Sequence, residues 1–283
     1  MKENQIANTI INKQGCLEFL EFGNFKKYSN IITHCFTTRN GGVSTGECSS
    51  LNLGFKRKDK AENVLENFKI ISNALKIDYR NMVLSNQVHD SKIKVVGKED
   101  RGKGIVRESD IIGYDALVTD KEEVALVTFY ADCVPVFLFD PEKRVIALVH
   151  SGWRGTVKEI SRETIKLMEA RFGCNPERLE AVIGPSIGSC CFEVDSEVHS
   201  EFIRAIPYSE NFCTEAENGK WKIDLKSIIR FSMNESGVNF NNICISNYCT
   251  KCNNDMFFSH RGEKGKTGNL AAIMQINPAP EDN

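Results

Sequence analysis

Residues 115 to 150 constrain the fold more than any other part of the chain. ALVTD, VALVTFYA, VPVFLFD and VIALVHSG follow one another as a dense set of apolar, β-branched segments of strand length. VPVFLFD and VIALVH meet at Asp140-Pro141-Glu142-Lys143, a composition suited to a tight turn, so the pair reads as a β-hairpin. LEFLEF (17 to 22), IITHCFTT (31 to 38), MVLSNQVH and KIKVVG add further strands. Helical periodicity appears between them. Over 59 to 76, Val64, Phe68, Ile71 and Leu75 repeat at helical spacing behind an Asp59/Glu62 capping box. A second helix starts from a Thr156/Glu159 capping box. It places Val157, Ile160, Thr164, Leu167, Met168 and Phe172 on one face and ends at Gly173. A third covers about 224 to 235. Strands and helices alternate without a repeat, a low-complexity tract or a linker. The expected fold is therefore α+β, with layered mixed β-sheets sandwiched by helices in a single domain over 1–283. Residues 1–28 read as an N-terminal extension of it.

With 283 residues, 41% of them hydrophobic, the chain buries a full core without disulfides. A net charge of −2 and the lack of a basic stripe exclude nucleic acid as the expected partner. No apolar run approaches the roughly 20 residues of a membrane span. The polar start MKENQIANTIINKQG lacks a signal-peptide core, so a cytoplasmic location is expected. The eleven cysteines then read as free thiols, most of them packed as small hydrophobes. Cys249 and Cys252 form a CxxC, but a structural zinc site takes four ligands and no second CxxC exists. Cys190 and Cys191 are adjacent and read as loop and core. KGKTG (264 to 268) lacks the glycine spacing of a phosphate-binding P-loop.

The proposed hairpin pairs residues whose numbers sum to 283 to 285. Cys133 then falls opposite His150, within one residue. Directly opposed residues have Cβ atoms about 4.5–5.5 Å apart, close enough to share a proton or a metal. SGWRGT follows, entering the second helix with glycines that admit an anion and with Arg154, a planar charged fork. Of five histidines (His34, His89, His150, His199 and His260), His89 at the strand end NQVHD best completes a set. His89, Cys133 and His150 supply the three protein ligands of a zinc site with one open position. Arg39, in the turn TTRNGG, is a second anion-contact candidate. Two plainer readings stand beside this one. Cys133 and His150 also fit a packed polar pair, and they also fit a nucleophile with its base.

TTRNGGVS with LNLG (37 to 54), NQVH (86 to 89), DALVT (115 to 119), ADCVPVFLFDP (131 to 141), VHSGWRGT (149 to 156), IGPSIGSCCFEV (183 to 194), IDL (223 to 225) and FFSHR (257 to 261) together resemble the laccase-domain, polyphenol-oxidase-like family. That family includes the bacterial peptidoglycan editing factors and FAMIN-like purine nucleoside enzymes. The resemblance runs from about residue 30 to the C-terminus. It implies a zinc-type site carried onto His89, Cys133 and His150, and an α+β fold of sandwiched sheets. It implies phosphorolysis of adenosine, inosine and S-methyl-5′-thioadenosine, with some adenosine deamination. Purine nucleosides and phosphate would then be the partners. For the bacterial branch it also implies a hydrolytic role in editing peptidoglycan precursors. Asn269 departs from the pattern, which has Arg after Thr-Gly. Copper oxidation fits less well. A multicopper oxidase needs more histidines than five, and a blue-copper His₂Cys site needs an axial ligand that the spacing does not supply.

Overall fold

A computed structural model describes residues 9–279. Those residues form three sheets. The first has the order β1-β2-β3-β15-β7-β4, formed by β1 (Thr9–Gln14), β2 (Leu17–Phe22), β3 (Ile32–Thr37), β4 (Met82–Leu84), β7 (Ala125–Tyr130) and β15 (Leu270–Ile276). The second has the order β14-β10-β8-β9-β6-β5. Its strands are β5 (Ile93–Val95), β6 (Ala116–Thr119), β8 (Val134–Asp140), β9 (Val145–Ser151), β10 (Glu180–Ile183) and β14 (Ile243–Ile245). A small third sheet joins β11 (Glu193–Val194), β12 (Cys213–Glu215) and β13 (Trp221–Ile223). Both large sheets mix parallel and antiparallel pairs. Five α-helices accompany them among the described residues: α1 (Ala61–Leu75), α2 (Trp153–Val157), α3 (Ile160–Phe172), α4 (Ser196–Ala205) and α5 (Leu225–Glu235).

The apolar strands of residues 115 to 150 lack polar alternation because both of their faces are covered. On β9, Ile146 and Leu148 face the other large sheet and pack with Leu126, Phe36 and Met274. Ala147 and Val149 face outward to Ile165 and Met168 of α3 and Ile229 of α5. The opposite side of the first sheet buries Val127 and Ile273 under Val64, Phe68 and Ile71 of α1. The molecule is thus helix, sheet, sheet, helix, with the hairpin β8–β9 at its centre. β1 and β2, within the segment read as an extension, form the edge of the first sheet, and Phe25 after them is fully buried. Among the described residues, no helix is long and apolar enough to cross a membrane.

Two helix starts differ from the capping-box readings. Asp59 does not cap α1 in that way. Its carboxylate accepts from the side chains of Asn52 and Asn63 and from the Lys60 N–H, and Lys60 is the capping residue. The second helix breaks into α2 and α3, with Glu159 between them at φ 53°. Thr156 lies inside α2, where its hydroxyl donates to the Gly152 carbonyl at 3.0 Å. The Glu159 carboxylate accepts from Ser232 at 2.9 Å, so it ties the break to α5 instead of capping a helix.

The hairpin register takes the upper end of the expected range, with pairs summing to 285. Asp140 accepts the N–H groups of Glu142 and Lys143, both at 2.9 Å, so it ends β8 and the turn runs through 141–144. His150 pairs with Pro135, and Val134 with Ser151. Cys133 therefore precedes the strand, two positions from the partner of His150. It is a diagonal neighbour of His150 and not a direct opposite.

Candidate metal centre and cavity

The diagonal placement still brings the side chains together. One ligand atom each from His89, Cys133 and His150 lies within 4.8 Å of the other two. The rings of His89 and His150 meet edge to face, with centroids 4.9 Å apart. His150 is buried, Cys133 half-buried and His89 exposed. The backbone at the site is unusual in two places. His89 has φ 62° and Asp132, just before Cys133, has φ 90°. Such conformations persist where surrounding contacts over-determine them.

Asp115 supplies those contacts for His89. Its side chain is fully buried and accepts four hydrogen bonds. Oδ1 takes His150 Nδ1 at 2.7 Å and the His89 N–H at 3.0 Å. Oδ2 takes the N–H groups of Val88 and Asp90, at 3.1 and 3.0 Å. One carboxylate thus fixes the ring of His150 and the turn that presents His89. With Nδ1 committed to Asp115, Nε2 of His150 remains for a ligand. A buried carboxylate behind a metal-binding histidine commonly fixes ring orientation and raises basicity. Asp132 is held just as firmly, accepting from Thr250 Oγ1 and from the Arg261 N–H, each at 2.6 Å. These contacts tie the turn before Cys133 to the loops that carry Thr250 and Arg261.

Gly152 explains another part of the VHSGWRGT signature. A Cβ placed there would lie 2.9 Å from the His89 ring, 3.1 Å from Cys133 Sγ and 3.7 Å from the His150 ring. The backbone packs against all three candidate ligands, so only glycine fits. Burial alone would raise the Cys133 thiol, but the rings of His150 and His89 outweigh it and hold it down at about 6. Burial alone would lower His150; Cys133 and Asp115 lift it to about 9. The donor set is therefore a thiolate with histidines of fixed orientation. These ligands, with a carboxylate behind one and a glycine cradle beneath all three, fit a zinc-type ion.

The set opens into a cavity of about 730 Å³, within the usual range for small-molecule sites. Phe55, Phe129, Trp153 and Phe192 give it aromatic walls, and Lys56, Arg57 and Arg261 bring positive charge. Arg57 is partly buried, which lowers its pKa. Its Nε donates to Asn269 Oδ1, also at the cavity wall. Arg57, from the 54–57 loop, thus brings a guanidinium beside Asn269. His260 also lines the cavity. His34 is buried in the core against Phe25, and His199 stacks on Trp221.

The two arginines expected to grip an anion stand elsewhere. Arg154 is exposed, lies over the Trp153 ring at 4.2 Å, and does not line the cavity. Its helix α2 has only five residues. Arg39 pairs with Glu263 at 3.1 Å, donates to the carbonyls of Asn254 and Ser49, and stacks on Phe258. Those contacts clamp loops together. Sequence reasoning passed over Arg57 and Arg261 because their own segments carry no anion motif. Asp115 was visible only as the first residue of DALVT. Cys190, Cys191, Cys249 and Cys252 were read apart, but their four Sγ atoms lie within 4.8 Å of one another. All eleven cysteines carry free sulfurs.

Residues 33–277 match the family described as multi-copper polyphenol oxidoreductase laccase. The chain belongs to this laccase-like family. It is 37% identical over 247 residues to the purine nucleoside phosphorylase YlmD of Bacillus subtilis, covering 86% of this chain and 88% of the relative. A purine nucleoside phosphorylase of Bacteroides thetaiotaomicron is 33% identical, covering 91% of this chain and 96% of its own length. The crystal structure of YlmD from Geobacillus stearothermophilus matches with a TM-score of 0.88 at 31% identity, covering 95% of this chain and all of that one. The hypothetical protein YfiH of Bacillus licheniformis gives the same TM-score at 32% identity, covering 94% of this chain and 99% of its own.

Proposed function

We propose that the chain is a zinc-dependent purine nucleoside phosphorylase acting on adenosine, inosine and S-methyl-5′-thioadenosine. The carrying observation is the His89–Cys133–His150 set at the wall of an aromatic cavity that also holds three cationic side chains. The names of the relatives support the same reaction. Phosphorolysis breaks the bond between C1′ of the sugar and N9 of the base. A phosphate oxygen bonds to C1′, the electron pair leaves with the base, and the base takes up a proton. Zinc, when bound, would supply Lewis-acid stabilisation of an oxyanion.

The remaining work falls to the chain. Phe129, Trp153, Phe55 and Phe192 offer apolar faces for the flat base. Arg57, Arg261 and Lys56 are the groups proposed to hold phosphate, in place of Arg39 and Arg154. A planar guanidinium suits two phosphate oxygens at once. Asp115 keeps His150 in one tautomer and holds the His89 turn. Asp132, engaged by Thr250 and Arg261, positions Cys133.

Release of free base and sugar 1-phosphate from a panel of nucleosides, by zinc-loaded protein with and without phosphate, tests this reading. Base release independent of phosphate would sink it. Ammonia release from adenosine tests the accompanying deaminase activity. Copper oxidation of phenols fits less well, because only His89, His150 and His260 of the five histidines stand at the cavity.

One observation favours a second reading. Cys133, His150 and Asp115 form a continuous chain of the nucleophile, base and carboxylate type. Without a metal, such a chain suits a cysteine hydrolase, for example one acting on peptidoglycan precursors. A zinc-bound thiolate is a poor nucleophile, so the metal content of active protein separates the two.

A further inference from the structure

We propose that Cys190, Cys191, Cys249 and Cys252 form a second, structural metal site, a tetrathiolate for a zinc-class divalent ion. It stands apart from the His89–Cys133–His150 centre and does not depend on the function proposed for it. The four Sγ atoms lie within 4.8 Å of one another. The Sγ of Cys252 is 3.7 Å from that of Cys190 and 3.4 Å from that of Cys191. A Zn–S bond of about 2.3 Å puts the sulfurs of a tetrahedron about 3.8 Å apart. The two Cys252 separations are thus close to those of a tetrahedral S₄ shell, and the 4.8 Å limit on the rest leaves about an ångström to close. Four thiolates select zinc or a similar soft ion over magnesium or calcium.

Local structure explains how two adjacent cysteines can serve one ion. Cys190 and Cys191 lie in a turn and not on a strand, so their side chains do not point to opposite faces. Gly188 makes the approach possible. A Cβ there would stand 3.2 Å from Cys190 Sγ and 3.3 Å from Cys249 Cβ. Its N–H donates to Cys249 Sγ at 3.2 Å, a bond that favours the thiolate. Lys226 is buried just behind, donating to the carbonyls of Ser246 and Tyr248 next to Cys249. Its ammonium would offset part of the negative charge of four thiolates and a divalent ion. Cys190 and Cys252 are exposed, which gives the ion a route in.

The site would clamp two segments that shape the cavity. Cys190 and Cys191 sit between Ile187 and Phe192, both of which line it. Cys249 is followed by Thr250, whose N–H bonds Ser186 and whose hydroxyl bonds Asp132 beside Cys133. An ion here would lock the cavity wall to the residue that sets the neighbouring ligand.

Metal counting on full-length protein decides the matter, with the two sites separated by substitution. Protein is prepared under reducing conditions, given zinc, and freed of loose metal with a mild chelator. The wild type should retain about two zinc ions per chain, and Cys133→Ala about one. In Cys133→Ala loaded with cobalt, the bands of tetrahedral thiolate-bound cobalt should appear, and about four of its thiols should resist a thiol reagent until the ion is removed. Gly188→Val in the same background should fold and lose the ion, which keeps the test independent of the cysteine variants. The proposal is overturned if reduced Cys133→Ala retains no zinc or cobalt. It is equally overturned if the ion is retained while all ten remaining thiols of that variant react at the metal-free rate. A metal-free wild type in which Cys252 is disulfide-bonded even under reduction would assign the cluster to redox chemistry instead. Loss of zinc from Cys133→Ser with the cluster ion intact would bear only on the proposed catalytic centre.

Discussion

Asp115→Asn is the sharpest test of the candidate centre. The substitution keeps shape and volume, so effects trace to hydrogen bonding. The carboxylate accepts from four N–H groups, two on each oxygen. An asparagine keeps one oxygen and turns the other position into a donor. Either His150 Nδ1 and the His89 N–H, or the N–H groups of Val88 and Asp90, then face an NH₂ group. The first orientation pushes the His150 proton from Nδ1 to Nε2, the nitrogen needed for the metal. The second leaves two backbone donors without partners. An unpaired buried donor costs about 1–3 kcal/mol, and the exposure of Val88 and half-exposure of Asp90 put the total near the low end of that range. Loss of an outer-shell partner typically lowers metal affinity about 10- to 100-fold. Zinc competition against a chromophoric chelator, with calorimetry for stability, reads both effects. The expected result is zinc affinity down by that factor with the fold retained. Wild-type affinity in a folded Asp115→Asn protein would refute the reasoning, because it would make Asp115 a packing residue.

Gly152→Ala should fold, since φ there is an ordinary −69°, yet lose metal at the His89–Cys133–His150 site, because its methyl would stand 2.9 Å from the His89 ring. Metal analysis in a background lacking Cys249 and Cys252 checks this. In metal-free protein the thiol of Cys133 is depressed from 9.0 to about 6, so its alkylation rate should rise with pH through a midpoint near 6 and be on its plateau at neutrality. Asp115→Asn should move that midpoint upward, since it weakens the imidazolium that stabilises the thiolate. Arg57→Ala should raise the KM for phosphate about 10- to 100-fold, the cost of losing charge-assisted hydrogen bonds of about 1.5–3 kcal/mol, while Arg154→Ala changes it little. Steady-state phosphate titrations of both variants decide whether the anion site belongs to the cavity wall or to α2.

Much of this protein is determined locally. The apolar segments of residues 115–150 form strands wherever they are placed, and the periodicity of Val64, Phe68, Ile71 and Leu75 gives α1 its buried face. His89, Cys133 and His150 could be picked out because Cys and His are scarce ligand types near strand ends, and because hairpin arithmetic carries two of them to within a residue or two of each other. Capping and register were less legible. Both capping boxes failed because Asp59 and Glu159 found other partners, Asn52 in the preceding loop for one and Ser232 of α5 for the other. The hairpin turn moved by one residue because a single side chain, Asp140, took two backbone N–H groups.

The contents of the cavity were decided by tertiary structure alone. Arg57 and Arg261 are separated by about two hundred residues of chain and share a wall because β3 and β15, whose flanking loops carry them, pair in one sheet. Arg39 has the composition of an anion contact, yet Glu263, some 220 residues away, claims its guanidinium. Asp115 depends on β6 lying beside β9, a pairing that no motif spacing encodes. The four clustered cysteines show the same limit. Their two pairs are about 60 residues apart in sequence, and each pair alone is an unremarkable loop. Sequence fixes what a segment prefers and which chemistry it carries. Which charges meet, and which are already spoken for, follows from the packing of sheets against one another, because long-range contacts are set by the whole core and not by any stretch of it.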